Sequence, residues 1–363
     1  PVATVTPVAN QVVCAGSTTN AVTFSSPATG GTVTYAWTNN NTSIGLAASG
    51  SGNIAAFTAT NAGSSPVTAT ITVTPTYTNG AVSCVGTPTS FTITVNPVAT
   101  VNAIANQTLC NGVATSAVNF TSPATGGTVT YSWTNNTTSI GLPANGIGNI
   151  GSFTAVNTGT SPVTATITVT PTFTNGGVSC NGTPITFTYT VNPTATVNVV
   201  TNQVVCNGAT TTAVNFTSTN TGGTVTYNWT NSNTTIGLAA SGTGNIAAFT
   251  ATNNGTAPVT ATVTVTPTFT NGGVSCTGTP TTFTITVNPT ANVNAVSNQT
   301  LCNGASTTAV NFTTSATGGS VTYSWTNNTT SIGLAASGSG NIPSFTAVNN
   351  TTSAVTATII VTP

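Results

Sequence analysis

Pro66-Val67-Thr68-Ala69-Thr70-Ile71-Thr72-Val73-Thr74 alternates an apolar residue with threonine at every step. A period of two puts Val67, Ala69, Ile71 and Val73 on one face of an extended chain and the threonines on the other. Val, Ile and Thr suit a pleated, half-buried surface. The same reading holds for Phe91, Ile93 and Val95 against Thr92 and Thr94, and for Val33, Tyr35 and Trp37 against Thr32 and Thr34. No segment carries a helical stripe, and the helix formers Glu, Lys, Arg and Met are absent. Turn signals separate the runs: Gly30-Gly31, Ser49-Gly50-Ser51-Gly52-Asn53, Asn79-Gly80 and, further on, Asn111-Gly112. About seven strands are expected in this stretch: residues 3–13, 20–26, 31–39, 43–46, 54–60, 67–78 and 89–96. Pro75, late in a strand, predicts an edge or a bulge.

The pattern recurs with a period of 96 residues, at which Pro1, Pro97, Pro193 and Pro289 fall in register. So do Cys14, Cys110, Cys206 and Cys302, and Trp37, Trp133, Trp229 and Trp325. Four repeats follow: 1–96, 97–192, 193–288 and a truncated 289–363. That period is too long for a helical solenoid and matches one immunoglobulin-like β-sandwich of about 100 residues. The fold expected is all-β, a tandem array of such sandwiches. The joint Val95-Asn96-Pro97-Val98-Ala99-Thr100-Val101 contains no Gly/Ser spacer, and proline stiffens it, so a semi-rigid rod is expected. Strands of about ten residues give roughly 35–40 Å per repeat with its loops. Without an initiator Met or a signal peptide, and with a shortened last copy, the chain is expected to be a window on a longer array.

None of the 363 residues is Lys, Arg, Asp, Glu or His. The usual charged fraction is about 25%. The chain therefore has no general acid or base and no partner for a nucleophilic Ser or Cys. It has no carboxylate for calcium or magnesium and no imidazole for zinc. No catalytic, cofactor or metal residue is expected, and no enzyme. Without cations, nucleic acid and anionic membrane surfaces are poor partners, and this segment is not expected to insert in a membrane. What remains is a surface of hydroxyls and amides with no electrostatic barrier between neighbouring copies. The expected partner is self, by lateral packing or polymerisation, with glycans as a further possibility.

Cysteines occur twice per complete repeat, at 14 and 84, 110 and 180, and 206 and 276, while the mate of Cys302 would fall past Pro363. Without activating neighbours they read as disulfides in an oxidising, extracellular place, with buried thiols as the plainer alternative. Two connectivities stay open. The simpler closes each repeat on itself: Cys14–Cys84, Cys110–Cys180 and Cys206–Cys276. In an immunoglobulin-like topology, however, the two turns carrying these cysteines lie at opposite ends. A staggered set, Cys14–Cys180 and Cys110–Cys276, would then staple adjacent repeats.

The runs Asn106-Gln107-Thr108-Leu109-Cys110-Asn111-Gly112, Val129-Thr130-Tyr131-Ser132-Trp133-Thr134, Thr174-Asn175-Gly176-Gly177-Val178-Ser179-Cys180 and Thr186-Phe187-Thr188-Tyr189-Thr190-Val191-Asn192-Pro193 resemble the PKD-like repeats of giant Bacteroidota cell-surface proteins. The resemblance covers all four repeats. It implies immunoglobulin-like domains in secreted adhesins or gliding-associated filaments, often cargo of type IX secretion. The Asp-bearing Trp-Asp-Phe-Gly-Asp-Gly motif of better-known PKD domains is missing, so the resemblance implies no calcium role here.

Several residues invite a sharper reading. The four Trp side chains could be sugar platforms, but Trp37 shares its face with Val33 and Tyr35 and is expected in the core. The row Thr68, Thr70, Thr72, Thr74 resembles ice-binding ladders, although sheet twist spoils a flat lattice match. Asn40, Asn41 and Asn135 fit the Asn-x-Ser/Thr acceptor pattern. The recurring loop from Gly45 to Ile54 is either a binding loop or a plain connection. Together these features predict a structural repeat array, part of an extracellular filament or adhesin stalk. A carbohydrate- or ice-binding module is the alternative.

Overall fold

The structure, a computed structural model, describes residues 2–363. It divides into two compact units, Pro1–Pro193 and Thr194–Pro363, each considered by itself. Each holds two β-sheets.

In the first repeat the strands are β1 (Gln11–Cys14), β2 (Thr32–Asn39), β3 (Ser49–Ser51), β4 (Val67–Asn79), β5 (Val82–Val85) and β6 (Thr89–Asn96). They form one sheet in the order β1-β6-β4-β2-β3, with β5 also on β4. β1 runs parallel to β6 and the other pairs are antiparallel. The opposite layer is thinner. Its segments meet through isolated bridges, Thr18 to Thr58 and Val22 to Ile54, and through the Thr6 amide on the Ser25 carbonyl. Two layers, with a first strand that joins the last one in parallel, make an immunoglobulin-like sandwich. The second repeat supplies β7 (Gln107–Cys110), β8 (Thr128–Asn135), β9 (Asn145–Ile147), β10 (Val163–Asn175), β11 (Val178–Asn181) and β12 (Ile185–Asn192). In the third these become β13 (Gln203–Cys206), β14 (Thr224–Asn231), β15 (Ser241–Thr243), β16 (Val259–Asn271), β17 (Val274–Thr277) and β18 (Thr281–Asn288), in the same order. The fourth keeps β19 (Ser324–Asn327), β20 (Ser337–Ser339) and β21 (Ile359–Thr362). There Gln299–Cys302 forms no strand.

The alternation read from residues 66–74 is the organising feature. Ala69, Ile71 and Val73 are buried, while their threonine neighbours line the outer face. They pack with Trp37, Phe91, Ile93 and Val95 from the same sheet and Val22, Phe24 and Ile54 from the opposite layer. Each Val, Ile or Phe among them contributes about 1.5–3 kcal/mol when fully buried.

Two expectations need correction. Residues 43–46 are not a strand: Thr42–Ile44 is a single helical turn, started by the Asn41 side chain accepting from the Ser43 amide and ended by Gly45 at φ +93°. Residues 3–13, 20–26 and 54–60 give only β1 and isolated bridges. Pro75 meets its expectation: it stands mid-sheet opposite Tyr35, at a bulge where the three steps of β4 from Val73 to Thr76 face the four from Val85 to Thr89 on β5 and β6, which leaves a gap in the ladder. A missing N–H is harmless at that gap, and the Pro75 carbonyl accepts from the Gly86 amide at 2.7 Å.

Candidate functional site: the joint between repeats

The amides of the Asn-Gln-x-x-Cys motif are structural. Asn10 Oδ1 accepts from the Thr92 amide at 2.8 Å, which fastens the chain before β1 to β6. Gln11 grips the next segment with two bonds, Nε2 to the Asn20 carbonyl and Oε1 from the Asn20 amide. Asn106 and Gln107 repeat both contacts on Thr188 and Ser116. The cysteine four residues after Asn10 is thereby held at the trailing end of its sheet, level with Asn96.

Cys14 forms a disulfide with Cys180 of the next repeat, Cα–Cα 5.5 Å. The within-repeat pair Cys14–Cys84 is not formed, and the register explains why. Cys14 is level with Asn96 and hence one residue from the Val95–Val67 pair, whereas Cys84 sits opposite Tyr77. The ten steps of β4 from Val67 to Tyr77 span about 33 Å. A disulfide tolerates a Cα separation of about 7 Å. Cys110 and Cys276 are also disulfide-bonded, and Cys84, Cys206 and Cys302 are exposed thiols.

Around the staple, the hairpin β10–β11 seats on the trailing end of the first repeat. Asn96 and Asn175 bond reciprocally: Asn175 Nδ2 donates to Asn96 Oδ1 at 2.9 Å, and Asn96 Nδ2 donates to the Asn175 carbonyl at 3.1 Å. The Gly176 backbone lies against Val12 so closely that an added Cβ would touch it at 3.0 Å. Asn96 is fully buried and Cys180 is 3% exposed. A second contact closes the other side, where the Thr125 amide donates to the Ser64 carbonyl at 2.8 Å and Gly126 packs on Pro66. Within the second unit the third and fourth repeats make the same contact, Thr317 on Ser64's counterpart Thr256 at 2.7 Å and Gly318 on Pro258.

The remaining candidates fall into place separately. Trp37, Trp133, Trp229 and Trp325 are 6–7% exposed, each with its indole lying under a glycine of the next strand: Gly50, Gly146, Gly242 and Gly338. Their Nε1 atoms are buried without a hydrogen-bond partner. They are core residues and offer no face to a sugar. The outward threonines pair with each other across strands, as in Thr68 with Thr94 at 2.9 Å and Thr164 with Thr190 at 3.0 Å. Asn135, a pattern match for glycosylation, is buried, with Nδ2 donating to the carbonyls of Thr137, Leu142 and Pro143. Asn40 is exposed, with Oδ1 accepting from the Thr70 amide. The loop from Gly45 to Ile54 has both Leu46 and Ile54 in the core. Two open depressions, of 430 and 440 Å³, are lined by residues 198–203 with 212–215 and Thr217, and by residues around Ser64 and Pro123, and neither has an aromatic wall. No helix among the described residues is long and apolar enough to cross a membrane.

Sequence reading missed the Asn96–Asn175 pair and the buried Asn39, Asn135, Asn231 and Asn327. The signal was their recurrence at the last position of an alternating strand, on the apolar side.

No family model matches the chain, and no curated protein does. Among solved structures it is similar to Sidekick-1 immunoglobulin domains 1–5, at 14% identity and TM-score 0.27 over 79% of this chain. It spans 59% of that chain. It is also similar to Drosophila N-cadherin EC1-4, at 12% identity and TM-score 0.31, covering 77% of this chain and 73% of that one. The human desmocollin-1 ectodomain matches at 11% identity and TM-score 0.28, covering 99% and 76%.

Proposed function

We propose that this chain is a non-catalytic structural segment of an extracellular surface filament or adhesin stalk, in which each 96-residue repeat is one domain and disulfides staple domain to domain. The observation that carries the reading is the Cys14–Cys180 bond. A bond that crosses a joint does little for the folding of either partner alone, but it fixes one to the other. It also requires an oxidising compartment. The reciprocal Asn96–Asn175 pair, the buried Asn96 and the short proline joint support a stiff linkage of the same kind. The repeat motifs support a PKD-like array of the sort borne by Bacteroidota surface proteins and exported by type IX secretion. The absence of every acid, base and cation among the side chains supports a role without chemistry.

Single-molecule stretching tests this. The staple encloses a sequence separation of 166 residues. Those residues stay locked under load while the bond is intact. At about 3.3–3.6 Å per extended residue, reduction should release roughly 550–600 Å of additional contour length. An oxidised chain that extends as far as the reduced one would sink the reading. A glycan-binding module is the second reading. It predicts an avidity gain on glycan arrays from one repeat to four, and the buried indoles do not favour it.

A further inference from the structure

The hairpin seated in the joint of the first unit turns on Asn175-Gly176. In an Asn-Gly step the backbone nitrogen after the asparagine has open access to the side-chain carboxamide carbon, because glycine has no Cβ to obstruct the approach. At most such steps in this chain the fold occupies that nitrogen. The amides of Gly112, Gly208 and Gly304 donate to the carbonyls of Ala155, Ala251 and Ala347 at 2.8 Å, and that of Gly182 donates to the Pro171 carbonyl at 2.7 Å. Gly146 lies in the ladder of β9 on β8, opposite Trp133. The Gly255 amide donates to Asn253 Oδ1 at 3.0 Å. These guards all lie within single repeats.

Gly176 is guarded differently. It stands just past the end of β10 at φ +58°, and its amide donates to no backbone carbonyl among the described residues. The restraint falls on the asparagine instead and comes from the neighbouring repeat. Asn175 Nδ2 donates to Asn96 Oδ1, the Asn175 carbonyl accepts from Asn96 Nδ2, and the Gly176 backbone rests on Val12. Asn79-Gly80 is the corresponding step without that restraint. Gly80 has the same φ of +58°, and Asn79 pairs with Val82 as Asn175 does with Val178. The Asn79 side chain is exposed.

We propose that Asn175 is a deamidation site gated by the joint: the closed joint protects it, and once the joint opens, water converts it to aspartate or isoaspartate and the joint no longer recloses. The Gly176 nitrogen forms a bond to Asn175 Cγ as the Cγ–Nδ2 bond breaks, and Nδ2 leaves as ammonia with the proton that the Gly176 nitrogen gives up. The product ring is a succinimide. Water then adds to one of its two carbonyl carbons, and the bond from that carbon to the Gly176 nitrogen breaks. Opening at Cγ gives aspartate, and opening at the main-chain carbonyl carbon gives isoaspartate. The net change is asparagine and water to aspartic acid and ammonia, with no oxidant or reductant. Either product takes the amide donor away from Asn96 Oδ1, on a residue that is fully buried. It also sets a carboxylate against that oxygen, in a chain with no side-chain cation to compensate it. Isoaspartate further lengthens the main chain by a carbon at a tight turn built on the positive φ of Gly176 and Gly177, which moves Cys180 out of line with Cys14.

The inference rests on the staple of the proposed function, and one peptide map reads both. The full chain is incubated in mildly alkaline buffer, oxidised or reduced, and deamidation at Asn79, Asn111 and Asn175 is followed by mass spectrometry. In the oxidised chain Asn175 should react about tenfold or more slowly than Asn79. Reduction should raise it to the Asn79 rate, while Asn111 stays slow because its sandwich remains folded. If reduction also speeds Asn111, the comparison is made with the Cys14→Ser chain, which lacks this staple alone. On reoxidation, molecules with aspartate or isoaspartate at position 175 should be missing from the Cys14–Cys180 peptide. Equal rates at Asn175 and Asn79 in the oxidised chain, a rate at Asn175 that stays slow without the staple, or deamidated molecules that re-form the Cys14–Cys180 bond would overturn the inference. If the oxidised chain still yields the Cys14–Cys180 peptide, the proposed function stands. Its absence would overturn both.

Discussion

At the scale of the residue, Tyr189 shows what near-identity of repeats conceals. It occupies the place of Ile93 and Ile285, fully buried among Phe153 and Phe187 at centroid distances of 5.3 and 5.4 Å. Its hydroxyl is buried without a hydrogen-bond partner. Burial pushes its pKa up to about 12. An orphaned buried hydroxyl costs about 1–3 kcal/mol. Tyr189→Phe keeps the ring packing and should stabilise the chain by about 1 kcal/mol in urea denaturation. The pH dependence has a definite sign. The unfolded tyrosine loses its proton near pH 10 while the folded one keeps it, so the folded state binds more protons in that window. Stability is thus intact below about pH 10 and is lost as pH rises towards about 12. The Tyr189→Phe variant should show a shallower loss over that range. Equal slopes for the two proteins would assign the alkaline loss to other groups.

At the scale of the element, the buried asparagines tie loops to strands. Asn135 closes the last turn of β8 onto the one-turn helix behind it, donating to three carbonyls and accepting from the Thr137 amide at 2.9 Å. Asn135→Ala leaves these groups unpaired and should cost about 2–3 kcal/mol. Sequencing of glycopeptides from a eukaryotic secretion host should find Asn135 bare despite its acceptor pattern. A glycan there would mean that β8 frays in the native chain. The strands themselves were legible: period two placed the core faces of β2, β4 and β6 because each has one buried face and one wet face. The opposite layer was not, because its pairing is reduced to bridges whose residues show no sustained alternation. Pro75 was legible as well: a proline forbids one hydrogen bond, and it falls where the bulge between β5 and β6 interrupts the ladder of β4. The cysteines were half legible, since topology placed them at opposite ends but recurrence at 96 residues suits either pairing.

At the scale of the whole molecule, neutrality and stapling act together. With no Asp, Glu, Lys, Arg or His, no side chain changes charge between pH 4.5 and 7, in the range of about 4 to 8 where other proteins titrate. The thermal midpoint should therefore be flat over that interval, and nearly flat from 10 mM to 1 M sodium chloride beyond the salt's weak general effect. Scanning calorimetry checks both, and a pronounced slope with pH would reveal a charged group acquired by modification. The staple has a further consequence, in time rather than in space. A chain made from its N-terminus presents Cys84 a full repeat before Cys180. While the first repeat is still unfolded, Cys84 is the nearer partner for Cys14, and the wrong bond would close the smaller loop at lower entropic cost. Only the finished sandwich, with its rigid sheet of about 33 Å between the two sulfurs, keeps them apart. Folding must therefore outrun oxidation, one repeat at a time, and the fold acts as the proofreader of its own cross-links.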